Sequence, residues 1–425
     1  MRPTLFAPSS FVSKRVLYWL AALCLSVMLA ACGGGGDGGG SSGSGSGGSS
    51  SGPPSNAAGT NQPISANASN TVPITVGPGA ANFVNIPNVT VTVCAPGKNT
   101  CQTINNIQLD TGSFGLRLAS DAVPQILSSL PIAAASNNSQ LAECTQFADG
   151  FTWGTVRTAD VKIGGETASH IPIQIIGDMP ESTVPATNCV SGVEESTVSQ
   201  LGANGILGVG VATSDCGTRC LDPAQSNYYS CPNGNNCTQV AVPVAQQVTN
   251  PATQFGTDNN GLIVQLPPLS GGAGSATGTL VFGIGTQSNN ALTGVTSFPS
   301  DNAGDLNGAY KGTSVTTIFD TGSNGIFFND TTIPNCTNTF TDFYCPSSTL
   351  NLAATVNGIS GTTAAVVNFT VANAQKLAGG NSNFALNGLA GNVGNFPTLF
   401  DFGIPFFYGK HVYIGFDTAA PFIGF

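Results

Sequence analysis

TIFDTGSNGIFF, residues 317–328, repeats a pattern that the chain already contains as IQLDTGSFGLRL, residues 107–118. Each copy reads Asp-Thr-Gly-Ser-x-Gly and follows a short run rich in apolar residues. One copy alone is an ordinary turn, whereas two copies in one chain indicate a duplicated half. The repeat therefore predicts two related halves, each of which presents one aspartate, Asp110 in the first and Asp320 in the second.

The motif places its aspartate where a strand turns sharply. Glycine lets the backbone bend there and lets another segment approach closely, while the Thr and Ser hydroxyls can hydrogen-bond the carboxylates. If a two-fold axis brings both turns together, the two like charges cannot both ionise, and the pair shares one proton. One carboxyl can then act as a base and the other as an acid towards a water molecule, without a metal or a covalent intermediate.

Residues 1–31 are typical of an export signal, because basic residues precede an apolar run. The run has about 15 residues, which is short for a bilayer span of roughly 20. It ends in Leu-Ala-Ala-Cys, residues 29–32, which resembles the lipobox of bacterial lipoproteins. That resemblance implies cleavage before Cys32, a lipid on its thiol and attachment to the cell envelope. The outer membrane is favoured because Gly33, rather than an acidic residue, follows. An uncleaved anchor helix is the alternative.

Composition divides the rest of the chain. Residues 32–70 begin with a long run of Gly, Ser and Pro, which has little apolar surface to bury and is typical of a flexible tether. The remaining length suits two domains. The duplication predicts an N-terminal lobe, residues 71–275, and a C-terminal lobe, residues 276–425.

Charged residues make up only 8% of the chain, against about 25% in a typical soluble protein. Asn, Thr, Ser and Gln must supply most of the polar surface, as in many exported β-rich proteins. The net charge is −10, and removing the signal's three basic residues leaves 8 Lys and Arg against 21 Asp and Glu, a net charge of −13. This acidic excess argues against nucleic-acid binding, which relies on basic patches.

Ten of the twelve cysteines follow Cys32, an even number that suits disulfides in an oxidising compartment. Two of the short Cys loops also have a spacing that metal sites use, but the chain has only two histidines, so a zinc site is the weaker alternative. Proximity along the chain predicts the pairs Cys94–Cys101, Cys216–Cys220, Cys231–Cys237 and Cys336–Cys345, which leaves Cys144 and Cys189 for each other.

Short β-type runs bounded by Gly, Pro and Asn dominate the body. Examples are NVTVTVC at residues 88–94, GLIVQL at residues 261–266 and HVYIGF at residues 411–416. Helical patterns are few, and the strongest is SDAVPQILSSL at residues 120–130. The chain is therefore predicted to be all-β with few short helices.

Further segments, taken with the repeated motif, resemble the pepsin-like aspartic peptidases. NGILGVG, residues 204–210, resembles the family segment that packs under the first aspartate, and GTLVFGIG, residues 278–285, resembles the strand that opens its second lobe. The last 26 residues, 400–425, resemble the family's closing segment. The matches share one order over residues 75–425, which makes them more specific than either motif alone. The chain also resembles a family of Gram-negative bacterial lipoproteins of unknown function.

The resemblance implies a bilobed, pepsin-like double β-barrel with pseudo-two-fold symmetry. It also implies an endopeptidase in which Asp110 and Asp320 activate water against peptide or protein substrates, with no cofactor and no metal. We expect a monomer, lipid-anchored through Cys32. The residues that the resemblance assigns to support of the aspartates are Thr111, Gly112, Ser113, Thr321, Gly322 and Ser323.

The family covers its substrate with a hairpin, the flap, whose frame fits residues 147–165. Phe147 stands in place of the flap tyrosine and lacks its hydroxyl, and Arg117 stands in place of that tyrosine's tryptophan partner. The double exchange suggests either an altered flap, with Arg117 on the ring of Phe147 as a cation–π pair, or plain packing around a rigid hairpin. The predicted flap and substrate residues are Phe147, Asp149, Gly150, Trp153 and Arg117.

Asp401 also departs from the family, because it replaces an apolar residue before a Phe-Gly pair. It adds a third carboxylate that either reaches the floor under Asp320 or faces solvent. Three functions remain open: an aspartic endopeptidase, a binding protein on the same scaffold with weak or no chemistry, and a structural envelope protein. Retention of both aspartates favours the first and the altered flap the second, while the third leaves the repeated motif unexplained.

Overall fold

The computed structural model describes residues 61–425, except 149, 187, 188, 190, 191, 338, 339, 380, 381 and 395. The predicted export signal, Cys32 and most of the predicted tether lie outside the described residues. Within the described part of the chain, no helix is both long enough and apolar enough to span a bilayer.

Short strands dominate the described residues, and the helices are single turns. The expectation of an all-β chain with few short helices is confirmed. The strands are β1 (Thr71–Val76), β2 (Pro87–Cys94), β3 (Cys101–Asp110), β4 (Phe114–Ala119), β5 (Gln140–Gln146), β6 (Gly150–Ile163), β7 (Glu166–Ile176), β8 (Val193–Glu194), β9 (Gly205–Val209), β10 (Tyr228–Cys231), β11 (Thr238–Gln239), β12 (Gly261–Leu266), β13 (Gly272–Ala273), β14 (Ala276–Phe282), β15 (Ser297–Pro299), β16 (Leu306–Tyr310), β17 (Thr313–Phe319), β18 (Ile326–Phe327), β19 (Leu350–Asn357), β20 (Ala364–Val371), β21 (Ala385–Leu386), β22 (Ala390–Gly391), β23 (Leu399–Phe402), β24 (Lys410–Gly415) and β25 (Phe422–Gly424). The α-helices are α1 (Val198–Leu201), α2 (Ala374–Leu377) and α3 (Ile404–Phe407).

The helix predicted at residues 120–130 is wrong as a continuous element. The segment forms two 3-10 turns, Ser120–Ala122 and Leu127–Ser129. Pro124 lies between them, and proline both lacks a backbone N–H and clashes with the preceding helical turn. The apolar residues of this segment therefore lie on two separate turns and not on one helix.

Two large sheets organise the molecule. The larger runs in the order β11-β10-β5-β6-β7-β4-β9-β3-β2-β1-β14-β12-β24-β25-β15, with β8 beside β6. β6 also pairs with β2. The N-terminal strands of the larger sheet therefore curl into a barrel-like lobe. The smaller sheet, in the order β20-β19-β16-β17-β23-β18-β22, forms the C-terminal lobe. The expected bilobed architecture is confirmed.

A shared set of strands joins the lobes. β1 pairs with β14, which pairs with β12, which pairs in turn with β24. Strands of the predicted N-terminal lobe (β1 and β12) and of the predicted C-terminal lobe (β14 and β24) therefore alternate in one ladder. The boundary predicted between residues 275 and 276 falls at the start of β14, and β14 connects the lobes by backbone hydrogen bonds.

The lobes repeat one strand pattern around each aspartate. β3 runs parallel to β9 while β4 runs antiparallel to it; β17 and β18 have the same relation to β23. The register repeats as well, so the internal duplication extends beyond the motif. The facing pairs are Gln108–Ile206 and Ile318–Asp401, two residues before each aspartate, and Arg117–Ile206 and Phe327–Asp401, seven residues after it.

Aromatic side chains fill the core of the C-terminal lobe. Phe402 stacks on Phe319 with ring centroids 5.0 Å apart, and Phe400 stacks on Phe328 at the same distance. Successive side chains of a strand point to opposite faces. The two phenylalanines of β23 therefore point into this core, and Asp401 between them points away from it.

All five predicted disulfides are present, and they use every cysteine in the described part of the chain. Four of them close short loops, with sequence separations of four to nine residues. Cys144–Cys189 spans 45 residues and ties β5 to the segment before β8. Because the entropy removed from the unfolded chain grows with loop length, this bridge constrains the unfolded state most.

Candidate active site

Two threonines lock the turns that follow β3 and β17 against each other. The Thr111 amide donates to Thr321 Oγ1 at 3.1 Å, and the Thr321 amide donates to Thr111 Oγ1 at 3.0 Å. The Thr111 hydroxyl donates to the Phe319 carbonyl at 2.9 Å, and the Thr321 hydroxyl to the Leu109 carbonyl at 2.8 Å. Each hydroxyl thus accepts from and donates to the opposite lobe, which fixes the two turns in register.

The interlock brings Asp110 and Asp320 face to face. The Gly112 amide donates to Oδ1 of both carboxylates, at 2.8 Å for Asp110 and 3.1 Å for Asp320. A Cβ at Gly322 would lie 2.7 Å from Asp110 Oδ1, and one at Gly112 would lie 2.6 Å from Asp320 Cγ. Both glycines are therefore required for the two carboxylates to approach.

A serine holds the outer oxygen of each carboxylate. Ser113 Oγ donates to Asp110 Oδ2 at 2.6 Å, and Ser323 Oγ donates to Asp320 Oδ2 at 2.9 Å. Oδ1 of each aspartate faces the other lobe while Oδ2 faces its own serine. The two hydroxyls thereby fix the orientation of the carboxylate planes.

The proton affinity of this pair is strongly perturbed. Burial raises the pKa of Asp320 well above its usual range; the charges of Asp110 and Asp401 raise it further, and the Ser323 hydrogen bond opposes them. Among the described residues, no Lys, Arg or His forms an ion pair with any of these three aspartates. Two close carboxyls without a cation retain a proton between them.

Asp401 lies on the floor beneath Asp320, and the alternative that it faces solvent is wrong. Its residue is only 5% exposed. Burial raises the pKa of Asp401 to about 8; the hydrogen bond with Ser323 lowers it and the charge of Asp110 raises it. The site thus contains three acidic groups instead of two.

Arg117 is completely buried in the N-terminal lobe. Its Nη2 donates to Glu143 Oε1 at 2.7 Å and to Asp215 Oδ2 at 3.1 Å. Its Nε donates to Thr145 Oγ1 at 3.0 Å, and its Nη1 to the Phe114 carbonyl at 2.7 Å. Since Phe114 lies four residues after the first catalytic candidate, this guanidinium also supports the first turn.

The acidic partners of Arg117 form a second buried carboxyl pair. Burial raises the pKa of Asp215 well above its usual range, and the charge of Glu143 adds to the shift. The Tyr228 hydroxyl donates to Asp215 Oδ1 at 2.6 Å and accepts from the Val248 amide. Sequence reasoning missed this cluster. Its one local signal is a glutamate in the buried middle of strand β5, between Ala142 and Cys144.

The cation–π contacts of the described residues are Lys311 with Tyr310 and Lys410 with Phe406, and none joins Arg117 to Phe147. The predicted cation–π pair is wrong, because ionic and hydrogen-bond partners occupy the guanidinium. Phe147 instead packs, partly buried, against Ile176, Leu201 and Ile206.

The remaining predicted flap residues have different environments. Trp153 is fully buried, donates from Nε1 to Thr183 Oγ1 at 3.0 Å, and packs edge-on against Tyr229. It therefore belongs to the core under the hairpin. Gly150 allows a close approach, since a Cβ there would lie 2.3 Å from the Val193 carbonyl oxygen. Asp149 lies outside the described residues.

Of three comparisons with known proteins, one identifies a family. The aspartic proteinase from Irpex lacteus, a solved structure, is similar at 18% sequence identity and a TM-score of 0.47, over 83% of this chain and 96% of that one. No curated protein sequence matches the chain. The model of the family described as "Protein of unknown function (DUF3443)" matches residues 66–424, and the chain therefore belongs to that family.

Proposed function

We propose that the protein is an aspartic endopeptidase that hydrolyses peptide bonds with Asp110 and Asp320. The observation that carries the proposal is the single Gly112 amide that donates to both carboxylates. It places the two inner oxygens around one point, where a water molecule can contact both. A peptide bound between the lobes would meet that water.

The chemistry needs one proton on the pair. The raised pKa of Asp320 favours Asp320 as the acid and Asp110 as the base. Asp110 takes a proton from water as the water oxygen bonds to the peptide carbonyl carbon, while Asp320 protonates the carbonyl oxygen. Asp110 then gives its proton to the amide nitrogen while a hydroxyl of the diol returns a proton to Asp320, and the C–N bond breaks as the amine leaves. Water is thus added across the bond and the pair regains its starting state.

A peptide library tests this proposal. We expect the purified protein to cleave internal peptide bonds with a bell-shaped pH dependence, whose alkaline limb reflects loss of the shared proton. Cleavage would be mapped by mass spectrometry from pH 3 to pH 9. A metal-chelator control should leave the rate unchanged. If no peptide is cut at any pH, the endopeptidase proposal fails.

A peptide-binding protein with weak or no chemistry is the second candidate, and the hairpin favours it. Phe147 offers no hydroxyl to a bound peptide, and it packs partly on Ile176, Leu201 and Ile206. A flap held in this way closes less readily over a substrate. Retention of a library peptide without cleavage, measured by affinity capture on the same material, would support this second function.

We also propose that the protein is anchored to the cell envelope, with the outer membrane favoured, through a lipid on Cys32. The support is the Leu-Ala-Ala-Cys sequence after a short apolar run, followed by the Gly-rich segment. Cys32→Ala is expected to release the protein from membrane fractions and to abolish labelling by a fatty-acid analogue. Cys24→Ala is the matched control and should change neither result. Unchanged labelling of Cys32→Ala would exclude lipidation at this position.

A further inference from the structure

Gln108 lies on β3 two residues before Asp110, and only 3% of the residue is exposed. Side chains two residues apart on a strand point to the same face. Gln108 therefore points, like Asp110, towards the turn of the opposite lobe. Its Nε2 donates to the Gly322 carbonyl at 2.9 Å. One hydrogen bond thus joins the strand that presents Asp110 directly to the turn that presents Asp320.

Asn85, in the segment between β1 and β2, holds the far end of the same turn. Its Nδ2 donates to the Asn324 carbonyl and to the Leu386 carbonyl, each at 2.8 Å. Its Oδ1 accepts from the Leu386 amide at 2.7 Å and from the Tyr408 hydroxyl at 3.0 Å. These four bonds use the full capacity of a primary amide, and Asn85 is completely buried. The Asn324 end of the turn is therefore fixed, and Gln108 holds the end nearer the aspartate.

The internal repeat is broken at the position of Gln108. The residue two positions before Asp320 is Ile318, whose side chain cannot donate a hydrogen bond. Both positions have the same register, since Gln108 faces Ile206 on β9 and Ile318 faces Asp401 on β23. The repeated strand architecture is therefore compatible with an apolar side chain here. The amide is specific to β3, where it bonds the second turn.

Gly322, which Gln108 holds, lies where the two carboxylates meet. Its amide donates to Asp320 Oδ1 at 2.7 Å, and a Cβ on it would lie 2.7 Å from Asp110 Oδ1. A shift of Gly322 would therefore move Asp320 Oδ1 relative to Asp110 Oδ1. Reaction rates are sensitive to such shifts, because a misplacement of about 1 Å can cost about a hundredfold. The bond from Gln108 to the Gly322 carbonyl thus acts on the geometry of the dyad.

We propose that Gln108 is a positioning residue of the dyad, whose side-chain amide sets the place of Asp320 relative to Asp110 by holding the Gly322 carbonyl. The inference rests on the proposed function, because it assigns Gln108 a part in the same reaction. The amide acts through the second turn and not on the substrate. Loss of its hydrogen bond should therefore lower kcat and leave KM almost unchanged.

Two substitutions at residue 108 separate the hydrogen bond from the space that the side chain fills. Methionine is close to glutamine in size but cannot donate. A glutamate there is protonated at pH 4, because burial beside Asp110 and Asp320 disfavours its charge, and its O–H can donate. At pH 4 we expect Gln108→Met to lower kcat about tenfold or more, with KM changed less than about twofold. Gln108→Glu should keep kcat within about threefold of the parent at this pH, and equal losses in both variants would overturn the inference.

Gln247→Met is the matched control. Gln247 is completely buried in the same lobe, and its Nε2 donates to the carbonyls of Gly217 and Val242 at 2.8 and 3.0 Å. The control should lower the melting temperature at least as much as Gln108→Met, because it also leaves buried carbonyls without a donor. It should leave kcat unchanged. If it lowers kcat as much as Gln108→Met does, the loss follows from stability alone and the inference is overturned.

Hydrogen exchange of the full chain gives a readout that does not need activity. Gln108→Met should speed amide exchange in residues 320–325 about tenfold or more, while residues 110–115 keep the rates of the parent, since only the second turn loses a bond. If the parent cleaves peptides but Gln108→Met keeps its kcat, the inference is overturned and the proposed function stands. If the parent cleaves nothing, the proposed function fails, and parent exchange rates in both turns of Gln108→Met then overturn the inference as well.

Discussion

Asp320→Asn is expected to lower kcat by about a thousandfold or more, and Asp110→Asn to do the same, while both proteins stay folded. Asparagine preserves the size of the side chain and most of its hydrogen bonds, but it cannot exchange a proton. The Thr111–Thr321 interlock does not involve the carboxylates, so the lobes should remain in register. Single-turnover cleavage of a library peptide measures the loss.

The pH dependence of the melting temperature of Asp320→Asn tests the raised pKa of Asp320 independently of activity. The pKa of Asp320 is raised in the folded protein, so its acid form stabilises the fold below the unfolded pKa of about 3.9. This contribution is lost as the pH rises through the folded pKa. The variant does not titrate there, and its melting temperature relative to the parent should therefore increase from pH 4 to pH 8. A variant that is inactive because it is unfolded would instead melt earlier at every pH, and the catalytic interpretation would then have no support.

Arg117→Met is expected to lower the free energy of unfolding by about 3–5 kcal/mol at pH 7, because it leaves Glu143 and Asp215 buried without their cation. The net pKa of Arg117 is raised: its burial lowers the value, but the charges of these two acids outweigh that effect. The deficit should shrink towards pH 4, because the pKa of Asp215 is raised by burial and this acid takes up a proton in the folded state as the pH falls. Urea unfolding at both pH values measures the difference.

A matched pair of variants distinguishes this cluster from ordinary ion pairs. Lys311 bonds Asp330 at 2.8 Å with a side chain that is 52% exposed, and buried Asp330 keeps hydrogen bonds from Tyr310 and Thr332 without it. Lys311→Met should therefore cost only about 1 kcal/mol. The triple variant with Arg117→Met, Glu143→Gln and Asp215→Asn should recover much of the lost stability, since no buried charge is left unpaired. An Arg117→Met protein as stable as the parent at pH 7 would show that the cluster does not act as described.

The sequence could predict features that depend on short separations. Each aspartate lies inside a motif whose glycine and hydroxyl residues are its immediate neighbours, so Gly112 and Ser113 follow directly from the repeat. Disulfides between nearby cysteines follow in the same way. The order of the two lobes follows from the repeat itself.

Contacts between distant residues that neither the repeat nor the cysteine count links could not be predicted. Arg117 lies 26 residues from Glu143 and 98 from Asp215, and no local pattern pairs a buried guanidinium with either acid. The direction of Asp401 depended on the register of β23 against β17 and β18, which one strand alone does not specify. The place of Phe147 depended on how a two-stranded hairpin packs on β7 and β9. The positions of these three side chains are therefore known from the fold and not from the sequence.

The central claim is that the two repeated turns build one site in which Asp110 and Asp320 share a proton. The most direct measurement is calorimetric binding of a peptide with a tetrahedral hydroxyl of the statine type, which mimics the hydrated peptide bond. The parent should bind one equivalent, and Asp110→Asn and Asp320→Asn should each bind at least about a hundredfold more weakly. Equal affinity of the parent and both variants for this peptide would contradict the claim.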